Sequence, residues 1–340
     1  MHSSRSTPKL DDVARTAGVS TATVSRCLNT PDRVSKSTRE RVNAAVAQLG
    51  YTPNFGARVM AAKRTYTIGA IIPTMDNAIF ARGLQAFQEE LHARGYTLLV
   101  SSSAYQPKVE EEQIRALVAR GADGLLLIGY ERDPEIYKYL ERQGVPALVA
   151  WAYSHDNRLP SIGFDNFASM YALAQEVLNH GHRRIGVISG ITSGNDRASQ
   201  RIQGIRKACA DHGLSPEMLE IVETKYEIEG GAVAFGQLMD TRAPPTAVMC
   251  GNDVLAAGAL QRARHLGLEV PGDVSVTGFD DIELARIVTP ALTTVHVPHR
   301  EMGRKAAIAL TEMVENRNEM VSIELQSLLE IRDSLGVAER

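Results

Sequence analysis

Cysteine is scarce in this chain, three residues in 340, and the scarcity excludes two classes at once. Cys27, Cys209 and Cys250 lie far apart and without metal-ligand spacing. Neither a disulfide framework nor a cysteine zinc site is therefore expected, and a reducing compartment is. Long apolar runs are missing too. The longest, Gly124 to Ile128 and Ala147 to Ala152, are strand-length, far below the ~18 residues that span a bilayer. The opening segment MHSSRSTPKL has no apolar core of signal-peptide type, so a cytoplasmic protein is expected. No GxGxxG follows a strand; the nearest glycine cluster, Gly190 and Gly194, has the wrong spacing for a dinucleotide. Nothing reads as a P-loop, a nucleophile elbow or a metal cluster. The nine histidines are scattered, and His180 and His182, flanking Gly181 before a strand, read as surface turn residues. Without a catalytic constellation the chain reads as a non-enzyme, with no cofactor and no metal.

What is present is an ordinary globular composition, 44% hydrophobic and 23% charged, on a length that predicts two or three domains. The formal net charge of -3 hides an asymmetry. Residues 1–64 hold 11 Lys/Arg against 4 Asp/Glu, which leaves 26 basic and 36 acidic residues for the rest. A basic head on an acidic body is the pattern expected when only the head meets a polyanion.

The head carries the sharpest local signal. From Leu10 to Asn29 it reads LDDVARTAGVSTATVSRCLN. Leu10, Val13, Ala14 and Ala17 fall at helical spacing and make one apolar stripe. Gly18 can end that helix in a left-handed turn. Val19 is an apolar plug, and Ser20 is a good N-cap for a second helix from Thr21 to about Leu28. Val24 and Leu28 can face the first helix, which leaves Thr21, Ala22, Ser25 and Arg26 outward. Two short helices joined through glycine, the second presenting small polar residues and an arginine, match a helix-turn-helix that reads the major groove. An ordinary helical hairpin would share the spacing. A third helix is expected from Ser37 to Leu49, capped by Ser35 or Ser37, with Val42, Ala45, Val46 and Leu49 inward. Pro53 and Asn54 then offer a start and a cap for a short helix, Phe55 to about Ala62. It is too short to be stable alone, so it suits a hinge that forms on docking.

At these residues the chain resembles the lactose-repressor (LacI) family. Asp12-Val13-Ala14, Ala17-Gly18-Val19-Ser20, Thr23-Val24-Ser25-Arg26 and Leu28-Asn29 meet its helix-turn-helix motif. Val34-Ser35, Thr38-Arg39-Glu40 and Val42 meet the next element, and Tyr51, Pro53, Asn54, Ala57 and Arg58 the hinge. The resemblance implies that Arg26 reads a base edge, with Thr21 and Ala22 tuning operator preference. It implies that Thr23, Ser25 and Asn29 contact phosphates, and that Tyr51, Asn54, Ala57, Arg58 and Met60 belong to the hinge on DNA. Met60 stands where the family usually wedges a leucine into the minor groove.

From Thr67 onward short apolar strands alternate with amphipathic helices. TIGAIIP (67–73), YTLLVSS (96–102), GLLLI (124–128) and ALVAW (147–151) form one set. RIGVIS (184–189), TAVMCG (246–251) and VSVTGF (274–279) form a second. This rhythm predicts parallel sheets covered on both faces, an α/β doubly wound body behind an all-α head. The resemblance implies a two-lobed periplasmic-binding-protein-like fold with crossings near Gly163–Phe167, Val295–Pro298 and Val321–Glu324. The expected division is a head at 1–50, a hinge at 51–65 and an effector and dimerisation body at 66–340. Within the body the first lobe is expected at about 66–164 and 297–322, the second at 165–296 and 323–340.

In open α/β sheets ligands bind outside the carboxyl ends of the strands. The polar residues expected there are Asp76 and Asn77, Asp165 and Asn166, Arg197 and Arg201, Asn252 and Asp253, and Asp280 and Asp281. Phe80 or Tyr226 could stack on the apolar face of a polyol. By resemblance Arg201, Asn252 and Asp280 match effector contacts; Asn252 and Asp253 could equally cap the following helix, and Asp281 reads as structural. The segments AYQPKVEEEQ, IGFDNF and PHREMG resemble the gluconate-utilisation group of the family. A sugar acid would need a cation, and Arg197 with Arg201 could supply it, although two acids at 280 and 281 sit awkwardly beside a carboxylate. The expectation is a DNA-binding repressor of carbohydrate metabolism, a homodimer on a pseudo-palindromic operator, controlled allosterically by a sugar or sugar acid. A transport-type sugar-binding protein would share the body, and a regulator with a non-sugar effector would share both parts.

Overall fold

A computed structural model describes residues 7–52, 64–76, 78–154, 159–215, 219–316 and 322–338. It divides into two compact units, Met1–Thr65 and Tyr66–Arg340. The hinge helix expected over 55–62, with Asn54, Ala57, Arg58 and Met60, lies outside the described residues, as do Asn77 and the side chain of Asn29.

The first unit holds α1 (Leu10–Ala17), α2 (Thr21–Asn29), a single 3-10 turn (Pro31–Arg33) and α3 (Lys36–Leu49). Gly18 is left-handed at φ 64 and lets its N–H and that of Val19 return to the last carbonyls of α1. The Ser20 side chain accepts the Thr23 N–H, and Ser35 accepts that of Thr38, so each helix starts on a hydroxyl cap. Val13, Ala14, Ala17, Val24, Cys27, Val42, Ala45 and Tyr51 close a small core among the three helices.

The second unit is built on parallel sheets. The first has six strands in the order β11-β5-β4-β3-β1-β2. These are β1 (Thr67–Ile72), β2 (Thr97–Ser102), β3 (Gly124–Ile128), β4 (Ala147–Ala150), β5 (Ser161–Gly163) and β11 (Ile323–Glu324). Alternation explains its two covered faces. Ile68, Ala70, Ile72, Leu126 and Ile128 join one core with α4 (Ala78–Ala93) and α12 (His299–Asn316). Ile71, Leu125 and Leu127 join another with α5 (Pro107–Ala119) and α6 (Pro134–Gln143). The second sheet runs β7-β6-β8-β9: β6 (Ile185–Gly190), β7 (Glu220–Thr224), β8 (Ala247–Cys250) and β9 (Ser275–Thr277). It is covered by α7 (Asn166–Asn179) and α8 (Asp196–Asp211) on one face and by α9 (Ile228–Met239) and α10 (Asp253–His265) on the other. An antiparallel ribbon of β10 (Thr294–His296) and β12 (Leu328–Glu330) and the short α11 (Leu284–Ile287) complete it.

Three expectations change. Ile323 and Glu324 pair with Ile162 and Gly163, and the Leu325 N–H still reaches the Gly163 carbonyl. The third crossing therefore comes after Glu324, two residues or so later than the second lobe was expected to resume. The pair β7 and α9 was not anticipated. β7 is an edge strand of five residues with its two glutamates, Glu220 and Glu223, exposed, and α9 carries three glycines, which weaken any helical pattern. The glycines are there for contact: a Cβ on Gly231 would lie 2.2 Å from the Leu255 carbonyl oxygen, and one on Gly258 would lie 2.0 Å from that of Ile228. Finally, His182 is buried, not a surface turn residue. Its ring bonds Thr246 and the Gly336 carbonyl, and burial above all lowers its pKa.

The α9–α10 crossing supports a direct test. Gly258→Ala is expected to cost about 1–3 kcal/mol, because backbone must move to admit the methyl group. The check is a lowered denaturant midpoint at unchanged slope.

Candidate functional site

Two surfaces come together from the anticipated residues. On the head, Val24 and Cys27 are buried while Ala22 and Arg26 are exposed and Thr21 and Ser25 half-buried. The same helix period that seals the core thus presents 21, 22, 25 and 26 as one outward strip. The Thr23 hydroxyl lies 2.9 Å from that of Ser20 and is part of the cap. Tyr51, expected among the DNA contacts, is corrected. Gly50 is left-handed and the Tyr51 N–H bonds the Val46 carbonyl, which turns the ring back into the head's core at 8% exposure.

On the body the polar residues gather where strands of both sheets end. The first sheet reverses strand order between β1 and β3, and the second between β6 and β8, the places where open sheets leave a crevice. Several loops at strand ends hold non-glycine residues at positive φ: Ala104 and Tyr105 after β2, Trp151 after β4, and Asp280 and Asp281 after β9. Such conformations cost of order 1–3 kcal/mol each and persist where the surroundings impose them.

Arg201, on α8, is buried at 6% exposure. Its Nε donates to Asn166 Oδ1 at 2.9 Å, its Nη1 to the Gly251 carbonyl at 2.6 Å, and its guanidinium lies 4.0 Å from the centre of the Phe279 ring. Asn166 in turn donates to the Trp151 carbonyl at 3.0 Å. Asn252 caps α10 through Oδ1, as the capping reading expected, and leaves Nδ2 without a hydrogen-bond partner. Asp280 is 1% exposed, and neither carboxylate oxygen has a hydrogen-bond partner. Burial pushes its pKa up to about 7, with Arg201 pulling the other way. Tyr226 stands 5.8 Å from Tyr105, centre to centre, over Gly190, where a Cβ would meet the Tyr226 ring at 2.2 Å. Burial, then Tyr226, raises the Tyr105 pKa, and Arg197, Arg201 and Asp280 act on the same hydroxyl.

Other expected residues serve elsewhere. Asp165 caps α7 by accepting the Ala168 N–H. Asp76 is exposed beside Thr74. Phe80 is 2% exposed, its ring 5.4 Å from that of Trp151. Arg197 donates through Nη1 to Asp196 and to the Ile128 carbonyl, while Asp196 accepts the Tyr130 N–H at 2.6 Å. These bonds join the start of α8 to the end of β3, so Arg197 is an interlobe tie. Asp253 accepts from Thr294 and the Ile282 N–H. Asp281 holds Arg286, Arg332 and His296; burial would raise its pKa, but those bonds keep it below the usual value. Tyr105, Trp151 and His299 were missed. Tyr105 and His299 lie in AYQPKVEEEQ and PHREMG, but nothing in those segments singles them out; their roles come from backbone conformation and packing. Among the described residues no group of His, Cys, Asp and Glu could hold a metal ion, and no helix is long and apolar enough to cross a membrane.

A helical DNA-reading head joined to a two-lobed, parallel-sheet body with a buried polar cleft defines a ligand-responsive DNA-binding regulator. Comparison with known proteins gives the family. The profile of bacterial regulatory proteins of the lacI family matches residues 9–54, and that of the periplasmic binding protein-like domain matches residues 174–335. The chain is 34% identical over 310 residues to the HTH-type transcriptional repressor CytR of Escherichia coli K12, covering 91% of this chain and 90% of that one. A LacI-family transcriptional regulator from Silicibacter pomeroyi superposes with a TM-score of 0.87 at 26% identity, over 97% of this chain and 99% of that one. The lac repressor dimer bound to operator and the anti-inducer ONPF superposes with a TM-score of 0.86 at 27% identity, over 97% and 100%. The chain belongs to the LacI family, as a DNA-binding transcriptional repressor.

The uncompensated carboxyl gives a pH signature. Asp280 is raised from 3.8 to about 7 in the folded state, so its contribution is present below about pH 4 and is lost as pH rises through about 7. Asp280→Asn removes the buried charge. The unliganded variant is expected to gain more in Tm over wild type at pH 8 than at pH 5, by several degrees; equal gains at both would contradict the assignment.

Proposed function

We propose that this repressor binds a pseudo-palindromic operator as a homodimer and releases or grips it in response to a small sugar or sugar acid bound between the lobes. The proposed division is a head at 1–50, a hinge at 51–65 and an effector and dimerisation body from 66. The observation that carries the effector reading is the buried carboxylate of Asp280 with no hydrogen-bond partner, together with the unpartnered Nδ2 of Asn252. Burying polar groups unpaired costs of order 1–3 kcal/mol each, a cost that a hydroxyl-rich ligand removes. The lac repressor dimer, a structural relative, was crystallised on operator with a small-molecule anti-inducer, which supports the same pairing of DNA and effector here. Control of carbohydrate metabolism in the cytoplasm is the setting that fits.

Arg26 is proposed as the main base-reading residue, with Thr21 and Ala22 tuning preference and Thr23, Ser25 and Asn29 setting register on phosphates. Effector binding would move the equilibrium between lobe arrangements and change operator affinity by the coupling free energy, ~1–3 kcal/mol in typical cases.

Arg26→Ala is expected to weaken operator binding by about 1–3 kcal/mol and to relax sequence preference, read by fluorescence anisotropy on matched and mismatched duplexes. Removing residues 1–64 is expected to abolish operator binding and preserve effector binding. Undiminished operator binding by the truncated protein would sink the assignment of the head. Affinity of the full chain is also expected to fall steeply with salt, because the basic head displaces condensed counterions.

A further inference from the structure

Beside Asp280 lies a second polar group with one ring nitrogen left unpaired. His299 opens α12 and is 3% exposed. Its Nδ1 lies 3.2 Å from Trp151 Nε1. An indole nitrogen can only donate, so Nδ1 accepts and the neutral ring carries its proton on Nε2. That ring stays neutral: burial first, then Arg82, lowers the imidazole pKa to about 3, against a smaller opposing pull from the backbone of Asp280. Nε2 has no hydrogen-bond partner and stands 3.9 Å from Asp280 Oδ1, too far for a bond between them. One buried donor and one buried acceptor thus lie 3.9 Å apart, and a single oxygen atom to the side of the line between them could bond both.

Resting on the reading of the cleft as the effector site, we propose that His299, held in its Nε2–H tautomer by Trp151, reads the effector together with Asp280 and selects a neutral hydroxyl-bearing ligand over a carboxylate. A hydroxyl is both acceptor and donor. It takes the Nε2–H of His299 and gives its own proton to Asp280 in a hydrogen bond. A ligand carboxylate can take the first bond and cannot supply the second, and its charge meets that of Asp280. Of the nearby cations, Arg197 spends Nη1 on Asp196 and the Ile128 carbonyl, and Arg201 spends Nε on Asn166 and Nη1 on the Gly251 carbonyl. On this proposal the effector is neutral and not the sugar acid that AYQPKVEEEQ, IGFDNF and PHREMG suggested, and the histidine of the last segment is one of its readers. Trp151 is a positioning residue. Its positive φ of 59, the Met302 sulfur at its N–H and Asn166 at its carbonyl fix the indole that sets the tautomer.

The test uses the full-length protein at pH 8. Long-range 1H–15N spectra of the histidine rings report the tautomer directly. The Nε2–H form is expected for His299 in wild type, and a mixture of tautomers in Trp151→Phe, which keeps an aromatic ring and loses the N–H; an Nδ1–H form in wild type overturns the proposal. Thermal shift is then measured with D-glucose, D-ribose and cellobiose against gluconate and glucuronate. Neutral sugars are expected to stabilise and the acids not. His299→Phe is expected to weaken the neutral ligand about tenfold, the loss of one buried donor, with partial rescue in His299→Gln, which restores an N–H. Asp280→Asn is expected to narrow the difference between neutral and acid ligands. Stabilisation by the acids equal to that by the sugars overturns the selectivity while leaving an effector-controlled repressor in place. Silence from both groups, with operator binding intact, overturns the proposal together with the reading of the cleft as a sugar or sugar-acid site.

Discussion

The body is organised around one buried guanidinium. Arg201 ties the amide of Asn166, at the crossing into the second lobe, to the Gly251 carbonyl beyond β8, and it lies over the Phe279 ring beyond β9. Three strand ends that have no covalent reason to agree in position are set by one planar cation. Arginine suits this because its donors form a rigid fork and its face stacks on aromatics. The cost of desolvating such a charge is offset only when its bonds are made, so the neighbours are held as firmly as the arginine holds them.

From that anchor the polar network runs outward through Asn166 to Trp151 and on to His299, and stops at Asp280. Everything before the stop is satisfied; Asp280, the Nε2 of His299 and the Nδ2 of Asn252 are not. Arg132 Nε, Ser161 Oγ and Thr277 Oγ1 are also buried without partners, but only here do a bare nitrogen and a bare carboxylate stand 3.9 Å apart among the described residues. The contrast with the adjacent acids is instructive. Asp281 is closed by two arginines and a histidine, and Asp253 by Thr294 and a backbone N–H. Three neighbouring carboxylates, all buried, divide into two that hold the crossing ribbon together and one that waits for a partner.

The same residue types hold the molecule together and equip it for binding. The interlobe tie of Asp196 and Arg197 to the end of β3 uses a basic residue that, by position alone, reads as a ligand contact. Phe80 reads as a stacking platform and is a core residue against Trp151. Burial decided both, and burial depends on which loops the crossings bring together.

How much was legible divides along physical lines. Periodicity and capping are local, so the head was readable almost to the residue: Gly18, Ser20 and Ser35 act where their chemistry says they should, and Arg26 stands on the outward strip. The alternation of short apolar strands with helices likewise implied parallel sheets covered on both faces. The edge strand β7 and the glycine-bearing α9 escaped because their stability comes from neighbours, not from their own pattern.

The sequence by itself therefore determined the basic head, the helix-turn-helix, the absence of any cofactor motif and the candidate polar residues at strand ends. Only the tertiary structure decided which of those residues are bonded and which are bare. Tyr51 belongs to the core, Asp165 to a cap and Arg197 to an interlobe tie, while His299 is left with a bare nitrogen 3.9 Å from Asp280. A hydrogen bond across 148 residues, such as that from Trp151 to His299, has no trace in local spacing, because it exists only once the end of β4 and the start of α12 have been brought together, 3.2 Å apart at these two nitrogens.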